Sequence, residues 1–127
     1  MTPERLMTRR QKLRQAAYEL QGGHCHYCNA PMWRRCKRDI WVSHGITRKE
    51  ANHFQATAEH LIAQCDGGQD TAENIVAACK HCNHTRHHPI YPGQPVTVDQ
   101  YLAFVRDATA RDAWLTTSLI AAARRKR

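Results

Sequence analysis

Two pairs of cysteines, each spaced C-x-x-C, constrain the fold of this chain more than any other feature. The first pair is Cys25 and Cys28 and the second is Cys79 and Cys82, with fifty residues between the pairs. Two cysteines three residues apart in a tight turn can both bind one zinc ion, and four thiolates complete a tetrahedral site without an open position. The sequence therefore predicts a structural zinc site that folds the intervening chain back on itself.

This ligand set leaves one alternative open, in which another donor replaces one of the four cysteines. The candidates for that replacement are His24, His26, His81, Cys36 and Cys65. Cys36 and Cys65 stand outside the C-x-x-C pairs, and we interpret them as free thiols. We identify no signal peptide and no run of about 20 apolar residues, so we expect no membrane association. In that setting cysteines at this spacing bind metal more often than they form disulfides.

The chain has 127 residues, and its formal net charge is +8 with histidine neutral. This length predicts one domain, 1–127, with an N-terminal helix at 1–22, a zinc-stapled core at 23–88 and a C-terminal helical extension with a basic tail at 89–127. The positive charge favours a polyanionic partner, nucleic acid first. A basic surface that only confers solubility is the alternative.

Apolar spacing predicts helices at both ends of the chain. The first stripe consists of Leu6, Leu13, Ala17 and Leu20. It predicts a helix at 3–21, with Thr2 as its cap and Pro3 in its first turn. The C-terminal stripe consists of Val98, Tyr101, Val105, Ala108, Leu115, Leu119 and Ala122. It is interrupted at Asp112 and predicts one long helix or two shorter ones, which pack on the domain or, as the alternative, form a dimer seam.

The middle of the chain has the pattern of a hairpin followed by a short helix. Residues 57–64 and 71–78 are predicted strands, joined by a turn at Gly67 and Gly68. A helix is then predicted at 82–88.

Residues 30–55 are predicted to form a short strand or packed loop and then a short helix. The apolar residues that favour the strand or loop are Trp33, Ile40, Trp41 and Val42. Thr47 and Glu50 have the spacing of a capping box, which predicts a helix to about residue 54.

Four polar side chains in the hairpin region have the chemistry needed to hydrolyse a phosphodiester. They are Glu59, His60, Asn74 and Asn83. Histidine can take a proton from water near neutral pH, and a divalent cation held by oxygen ligands can neutralise charge on the phosphate. Because adjacent residues of a strand point to opposite faces, Glu59 and His60 share one site only if the strand bends or the metal lies at its edge.

The order of these elements resembles the HNH endonuclease family, and with Cys25-His26-Tyr27-Cys28 upstream it resembles the four-cysteine zinc-stapled branch of phages and bacteria. The matching run is Glu59-His60, Gly67-Gly68, Asp70, Glu73-Asn74 and Cys79-x-x-Cys82-Asn83. The resemblance covers about 24–88. It implies a small α+β fold with a ββα-metal core, flanked here by N- and C-terminal helices.

The resemblance also implies a role for each matching residue. His60 corresponds to the general base, Asn74 to the residue that orients it, and Glu59 and Asn83 to ligands of a catalytic divalent cation. His87 lies four residues after Asn83 on the same helix face, where some relatives have a further ligand. The cation is expected to be Mg²⁺ or Mn²⁺, with other divalent ions able to occupy such a site. The family more often has Asp at the position of Glu59, so the longer side chain could shift the metal distance or preference.

Basic residues are expected to bind the nucleic acid backbone. Arg86 is expected to contact the scissile or a flanking phosphate. A second group interleaves cations with tryptophans and consists of Arg34, Arg35, Lys37 and Arg38. With the basic N-terminal helix and C-terminal tail, it predicts backbone affinity that falls steeply with salt.

The implied function is metal-dependent hydrolysis of DNA, leaving 5′-phosphate and 3′-hydroxyl ends, in the cytoplasm of a bacterial or phage-infected cell. The main alternative is a non-catalytic, zinc-stapled module that binds nucleic acid or acts as an adaptor. A third interpretation is an interaction protein whose C-terminal helix binds a phage or bacterial partner.

Overall fold

Five α-helices and a two-stranded antiparallel sheet make up the computed structural model, which describes residues 6–126. The helices are α1 (Arg9–Leu20), α2 (Arg38–His44), α3 (Lys80–His87), α4 (Val98–Ala110) and α5 (Leu115–Arg125), and the strands are β1 (Ala56–His60) and β2 (Ile75–Cys79). Within 6–126, no helix is both long and apolar enough to cross a membrane. This small mixed architecture agrees with the predicted α+β class, and β1, β2 and α3 form its ββα unit.

Helix α1 begins at Arg9, because Thr8 caps it. The Thr8 hydroxyl accepts a hydrogen bond from the Gln11 amide at 3.1 Å, and the Gln11 side chain accepts one from the Thr8 amide at 2.9 Å. This reciprocal pair is a capping box. The predicted cap at Thr2 and Pro3 lies outside the described residues.

The apolar stripe of α1 is narrower than predicted. Leu13 and Ala17 are partly covered, whereas Leu6 is exposed and Leu20 is 91% exposed, because Leu20 is the last helical residue and the chain turns away immediately after it. A polar contact fixes this end instead. The Gln21 side chain donates to the carbonyl of Ala77 at 2.8 Å and accepts from its amide at 2.9 Å, so α1 is held against β2.

The two strands pair from Ala56 opposite Cys79 to His60 opposite Ile75. The predicted strands at 57–64 and 71–78 are therefore too long on the side of the turn, and residues 61–74 form a loop. Asn74 ties this loop together: its Oδ1 accepts from the Ile62 amide at 2.7 Å, and its Nδ2 donates to the carbonyls of Ile62 and Gln69, both at 3.0 Å.

The prediction of a strand or loop around Ile40 and Trp41 is wrong, because this stretch contains helix α2. Ile40 is buried, and Gly45 ends the helix in the left-handed conformation with φ of 69°. Two guanidinium groups lie over the ring of Trp41, with the Arg38 and Arg48 Cζ atoms 5.8 and 5.1 Å from the ring centre. The tertiary contacts of α2 outweigh the weak preference of β-branched and aromatic residues for extended structure.

Thr47 and Glu50, which follow α2, form the predicted capping box. The Glu50 carboxylate accepts from the Thr47 amide at 2.8 Å and the Thr47 hydroxyl from the Glu50 amide at 3.0 Å. A 3-10 helix, Glu50–Phe54, begins at the second residue of this pair, and Lys49 is its N-cap residue.

The C-terminal region forms two helices, with the break at the predicted position. Asp112, between α4 and α5, has a left-handed φ of 54°. In α4 the buried residues Tyr101, Val105 and Ala108 belong to the predicted stripe. In α5 the buried residues are Thr116, Ile120 and Ala123, one position beyond the prediction at Leu115, Leu119 and Ala122, because the break resets the helical phase. Both helices pack on the core.

The four paired cysteines meet in the core, as predicted. The sulfurs of Cys25, Cys28, Cys79 and Cys82 all lie within 4.8 Å of one another and are buried. The Cys28 and Cys79 sulfurs are 3.9 Å apart. Two sulfurs at about 2.3 Å from a tetrahedral zinc would be about 3.8 Å apart, so this arrangement fits a structural zinc ion. Cys36 and Cys65 are exposed free cysteines.

Every sulfur of this cluster accepts at least one hydrogen bond. The Cys79 amide donates to the Cys25 sulfur at 3.3 Å, and the Cys82 amide to the Cys79 sulfur at 3.4 Å. The C-terminal region supplies two more donors: the Trp114 indole to Cys82 at 3.3 Å and the Thr116 hydroxyl to Cys28 at 3.2 Å. Such donors stabilise thiolates and orient metal ligands.

The cluster predicts one tightly bound zinc ion per chain. Cys82→Ser should lose that zinc and most of the stability, because structural zinc contributes on the order of 10 kcal/mol to folding in small domains. Cys36→Ser, the same chemical change at an exposed cysteine, should keep both. Zinc analysis of the purified proteins and thermal melting would measure this. Equal zinc content and melting temperature in the two variants would contradict the prediction.

Gly68 gives a second prediction. A Cβ atom at this position would lie 1.7 Å from the Ile62 carbonyl oxygen and 2.9 Å from Asn74 Nδ2. Gly68→Ala should therefore open the loop 61–74 and destabilise the protein by about 1–3 kcal/mol, as overpacking does. Urea unfolding measures the loss. Gly67→Ala is the control, since no atom lies within 4 Å of its added Cβ; its cost should be limited to about 1 kcal/mol for a left-handed residue.

Candidate functional site

A cleft of about 400 Å³ opens where the end of β1 faces α3. Its lining residues are Ala58, Glu59, His60, Ala63, Gln64, Cys65, Asn83 and His87. Four of them (Glu59, His60, Asn83 and His87) are residues that the sequence analysis selected. Glu59 and His60 are neighbours on β1, yet both line the cleft because the strand ends at His60. The site therefore lies at the edge of the hairpin.

Glu59 is a carboxylate that is 1% exposed and held from three sides. Its Oε2 accepts from the Tyr27 hydroxyl at 3.0 Å and lies 3.2 Å from Arg86 Nη1. Its Oε1 lies 3.3 Å from His87 Nε2. Burial and the neighbouring carboxylate raise the pKa of Tyr27, so the phenol keeps its proton and remains a donor. A buried carboxylate requires this kind of ion pair and hydrogen bonding.

The donor atoms around this carboxylate fit a divalent cation. Two adjacent ligands of an octahedral ion, each at about 2.1 Å, are about 3.0 Å apart, close to the 3.3 Å between Glu59 Oε1 and His87 Nε2. Asn83 donates through Nδ2 to the Thr57 hydroxyl at 3.0 Å and to the Ala58 carbonyl at 3.2 Å. These bonds fix the amide, and its Oδ1 has no hydrogen-bond partner among residues 6–126. One carboxylate, one imidazole and one amide oxygen thus border the same cleft.

His60 makes one hydrogen bond through its ring, to Asp70. The Nε2 atom lies 2.7 Å from Asp70 Oδ1, and the imidazole is mostly covered. The bond from His60 lowers the pKa of Asp70, which is therefore ionised at neutral pH. An ionised carboxylate can only accept, so Nε2 carries the proton and Nδ1 is left as the basic nitrogen. In the described residues, no hydrogen bond occupies Nδ1.

Two arginines of α1 hold Asp70 in turn. Arg9 Nε donates to the Asp70 carbonyl at 2.9 Å, and Arg10 Nε lies 3.5 Å from Asp70 Oδ1. The loop that carries Asp70 is also fixed by Asn74, whose Nδ2 bonds to Gln69. Asn74 was expected to orient His60 through a backbone or side-chain hydrogen bond. Its side-chain partners are Ile62 and Gln69, and its carbonyl accepts from the Leu61 amide at 2.9 Å. Its connection to His60 therefore passes through this loop.

Arg86 was expected to contact a phosphate, and in the structure its guanidinium contacts protein groups. It is buried, and its guanidinium donates to the carbonyls of His60 at 3.0 Å, Leu61 at 3.1 Å and Val96 at 3.1 Å. The same group pairs with Glu59. Arg86 thus neutralises the buried carboxylate and holds the end of β1 in place.

The basic cluster near α2 does not line this cleft. Arg34 lies 3.5 Å from Glu19 and over the ring of Tyr18, and Lys37 donates to the Asn52 side chain at 3.3 Å. Arg35 and Arg38 are exposed. These cations lie on the surface formed by the end of α1 and the start of α2.

Tyr27, Asp70 and the α1 arginines take part in the site although sequence reasoning gave them no role in it. Asp70 belongs to the family-like pattern, and Tyr27 stands inside the first C-x-x-C pair, but neither position reveals its partner. Asp70 contacts His60 across ten residues and Tyr27 contacts Glu59 across thirty-two. Such pairs become visible only when the loop and the knuckle are folded.

Comparison with known proteins gave a family match for one part of the chain. The model of the family described as HNH endonuclease matches residues 46–92, which include β1, β2 and α3. No curated protein and no solved structure matches the chain significantly. The matched segment contains the histidine, the asparagines and the second cysteine pair described above. Residues 46–92 of this chain are therefore similar to the HNH endonuclease family.

Proposed function

We propose that this chain is a metal-dependent endonuclease that hydrolyses phosphodiester bonds of DNA. The observation that carries the proposal is the convergence, in one cleft, of a carboxylate-held imidazole and three metal-binding donor atoms. The match of residues 46–92 to the HNH endonuclease family model supports the same reaction class.

His60 is the general base in this proposal. The Asp70 carboxylate accepts the Nε2 proton at 2.7 Å, which leaves Nδ1 to take a proton from the attacking water. The water attacks phosphorus, the bond to the 3′-oxygen breaks, and the products have 5′-phosphate and 3′-hydroxyl ends. As the imidazole becomes positively charged, Asp70 stabilises that charge, as a carboxylate does in other acid–base pairs.

Glu59, Asn83 and His87 would hold the divalent cation. When bound, a cation such as Mg²⁺ or Mn²⁺ neutralises charge on the phosphate and on the leaving oxygen. Arg86 and Tyr27 keep Glu59 in place, and the bonds from Asn83 to Thr57 and Ala58 keep its amide oxygen free. Asn74 and Gly68 act at a distance, through the loop that positions Asp70.

The first test is cleavage of supercoiled plasmid by wild-type protein and His60→Ala. We expect wild type to cut when Mg²⁺ or Mn²⁺ is added and His60→Ala to be slower by about 10²–10⁴-fold, the usual contribution of a general base. His44→Ala, a histidine that does not line the cleft, should cut normally. The metal-free reference omits the cation rather than adding a chelator, because a chelator would also attack the four-cysteine site.

Two results would contradict this assignment. If His60→Ala cuts as fast as wild type, His60 is not the base. If wild type binds the plasmid and leaves it intact with either cation, the protein is better described as a non-catalytic nucleic-acid-binding module.

Asp70 gives a separate prediction about the orientation of the base. In Asp70→Asn the amide can donate to Nε2, which would place the histidine proton on Nδ1 and block its role. We expect a loss of about 10²–10⁴-fold in the cleavage rate, as for other histidine–carboxylate pairs. Asp66→Asn removes an exposed carboxylate of the same loop and should have little effect.

The pH dependence of wild type follows from the same pair. Because the pKa of Asp70 is lowered from 3.8, its ionised form is kept throughout the neutral range. The hydrogen bond to His60 is lost only as pH falls through that lowered pKa. If Asp70→Asn leaves the cleavage rate unchanged between pH 6 and pH 8, Asp70 does not orient the base.

A further inference from the structure

A second cleft, of about 430 Å³, lies between α1 and the outer edge of β1. Its polar lining residues are Thr8, Arg10, Gln11, Arg14, Gln55, Thr57 and Lys80, and Ala56 and Ala58 complete it. No carboxylate is among these lining residues. The cleft therefore combines three cations with hydroxyl and amide groups, which is the composition of a site for an anion.

Arg14 is a lining residue of this cleft whose side chain has an unsatisfied hydrogen-bond donor. Its Nε atom is buried and has no hydrogen-bond partner in 6–126. Burial, and then the charge of Arg34, lower the pKa of Arg14, so the guanidinium is partly desolvated beside a like charge. A buried donor without a partner costs free energy. An anion bound in the cleft would offset the like charge that Arg34 places beside Arg14.

The other two cations of the cleft differ in their availability. Arg10 is already paired with Asp70 at 3.5 Å, so part of its charge is in use. Lys80, the first residue of α3, is exposed. Arg14 and Lys80 are therefore the two groups that an incoming anion would meet with their charge uncompensated.

This cleft shares lining residues with a neighbouring cleft, which in turn shares lining residues with the candidate active site. Thr57 and Lys80 also line an adjoining cleft of about 300 Å³, which is bordered by Asn83 and His87. Asn83 and His87 in turn border the cleft of His60 and Glu59. A chain of phosphates bound beside α1 would thus run directly toward the proposed reaction centre.

We infer that the cleft between α1 and β1 binds a backbone phosphate of the DNA strand next to the bond that is cut, with Arg14 and Lys80 as its contacts. The inference rests on the proposed function, because it assumes that DNA occupies the neighbouring site. Arginine suits this role, since its planar group can make two parallel hydrogen bonds to a phosphate. Arg14 lies outside residues 46–92, so this contact is supplied by the chain's own N-terminal helix.

The test is fluorescence anisotropy of a labelled DNA duplex, measured without added divalent cation over a series of salt concentrations. Arg14→Gln should weaken binding roughly five- to tenfold at 0.1 M salt and reduce the slope of log K against log salt by about 0.9, the value for one phosphate contact. Arg14→Lys, which keeps the charge, should recover part of the affinity. Lys80→Gln provides a second variant at an exposed position and should act in the same direction.

Arg111→Gln is the matched control. It removes the same charge from an exposed residue directly after α4 that is paired with Asp107 at 2.9 Å and does not line the cleft. The inference is overturned if wild type does not bind the duplex, if Arg14→Gln and Lys80→Gln both bind as wild type does, or if Arg111→Gln loses as much affinity. Plasmid cleavage is scored separately: binding through Arg14 without cleavage would reject the nuclease proposal and leave the phosphate site standing.

Discussion

The meeting of four cysteine sulfurs is the constraint on which the rest of the structure depends. Two of them come from a turn near the N-terminus and two from the junction of β2 and α3, so the junction on which Asn83 and His87 follow is anchored at a fixed point of the core. Trp114 and Thr116 donate to the same sulfurs, which fastens the C-terminal helices to that point. A chain of this size buries a modest apolar core, and a zinc ion bound by these sulfurs would replace much of the apolar area that a larger domain would use.

A buried charge is the second organising element. Glu59 is inaccessible to solvent, yet it faces Arg86, Tyr27 and His87 within 3.3 Å. Arg86 uses the same guanidinium to hold the carbonyls at the end of β1. One arginine therefore balances the carboxylate and sets the place where the strand stops. Burial of this charge costs free energy because the carboxylate loses its hydration. Such a cost is typical of groups that are kept in position for chemistry.

Features that depend on a few adjacent residues could be predicted from the sequence. The C-x-x-C pairs, the capping box at Thr47 and Glu50, and the break at Asp112 each depend on a few adjacent residues, and the structure contains all three. Helix α2 was missed because its composition favours a strand while its contacts favour a helix. The pairing of Asp70 with His60, the three-sided support of Glu59 and the internal position of Arg86 depend on groups that are distant in sequence. No spacing rule specifies them, and the folded chain was needed to find them.

The segment that matches the family does not contain everything that its site uses. Residues 46–92 include two of the four cysteines, while Tyr27 and the first cysteine pair lie upstream and Trp114 lies downstream. Asp70 is likewise held from outside, by the arginines of α1. A recombination event that moved only this segment into another gene would carry the recognisable motif but leave behind half of the sulfur ligands, the Tyr27 hydroxyl that donates to Glu59 and the arginines that hold Asp70. The part of the chain that this site needs is therefore longer than the segment that matches the family model.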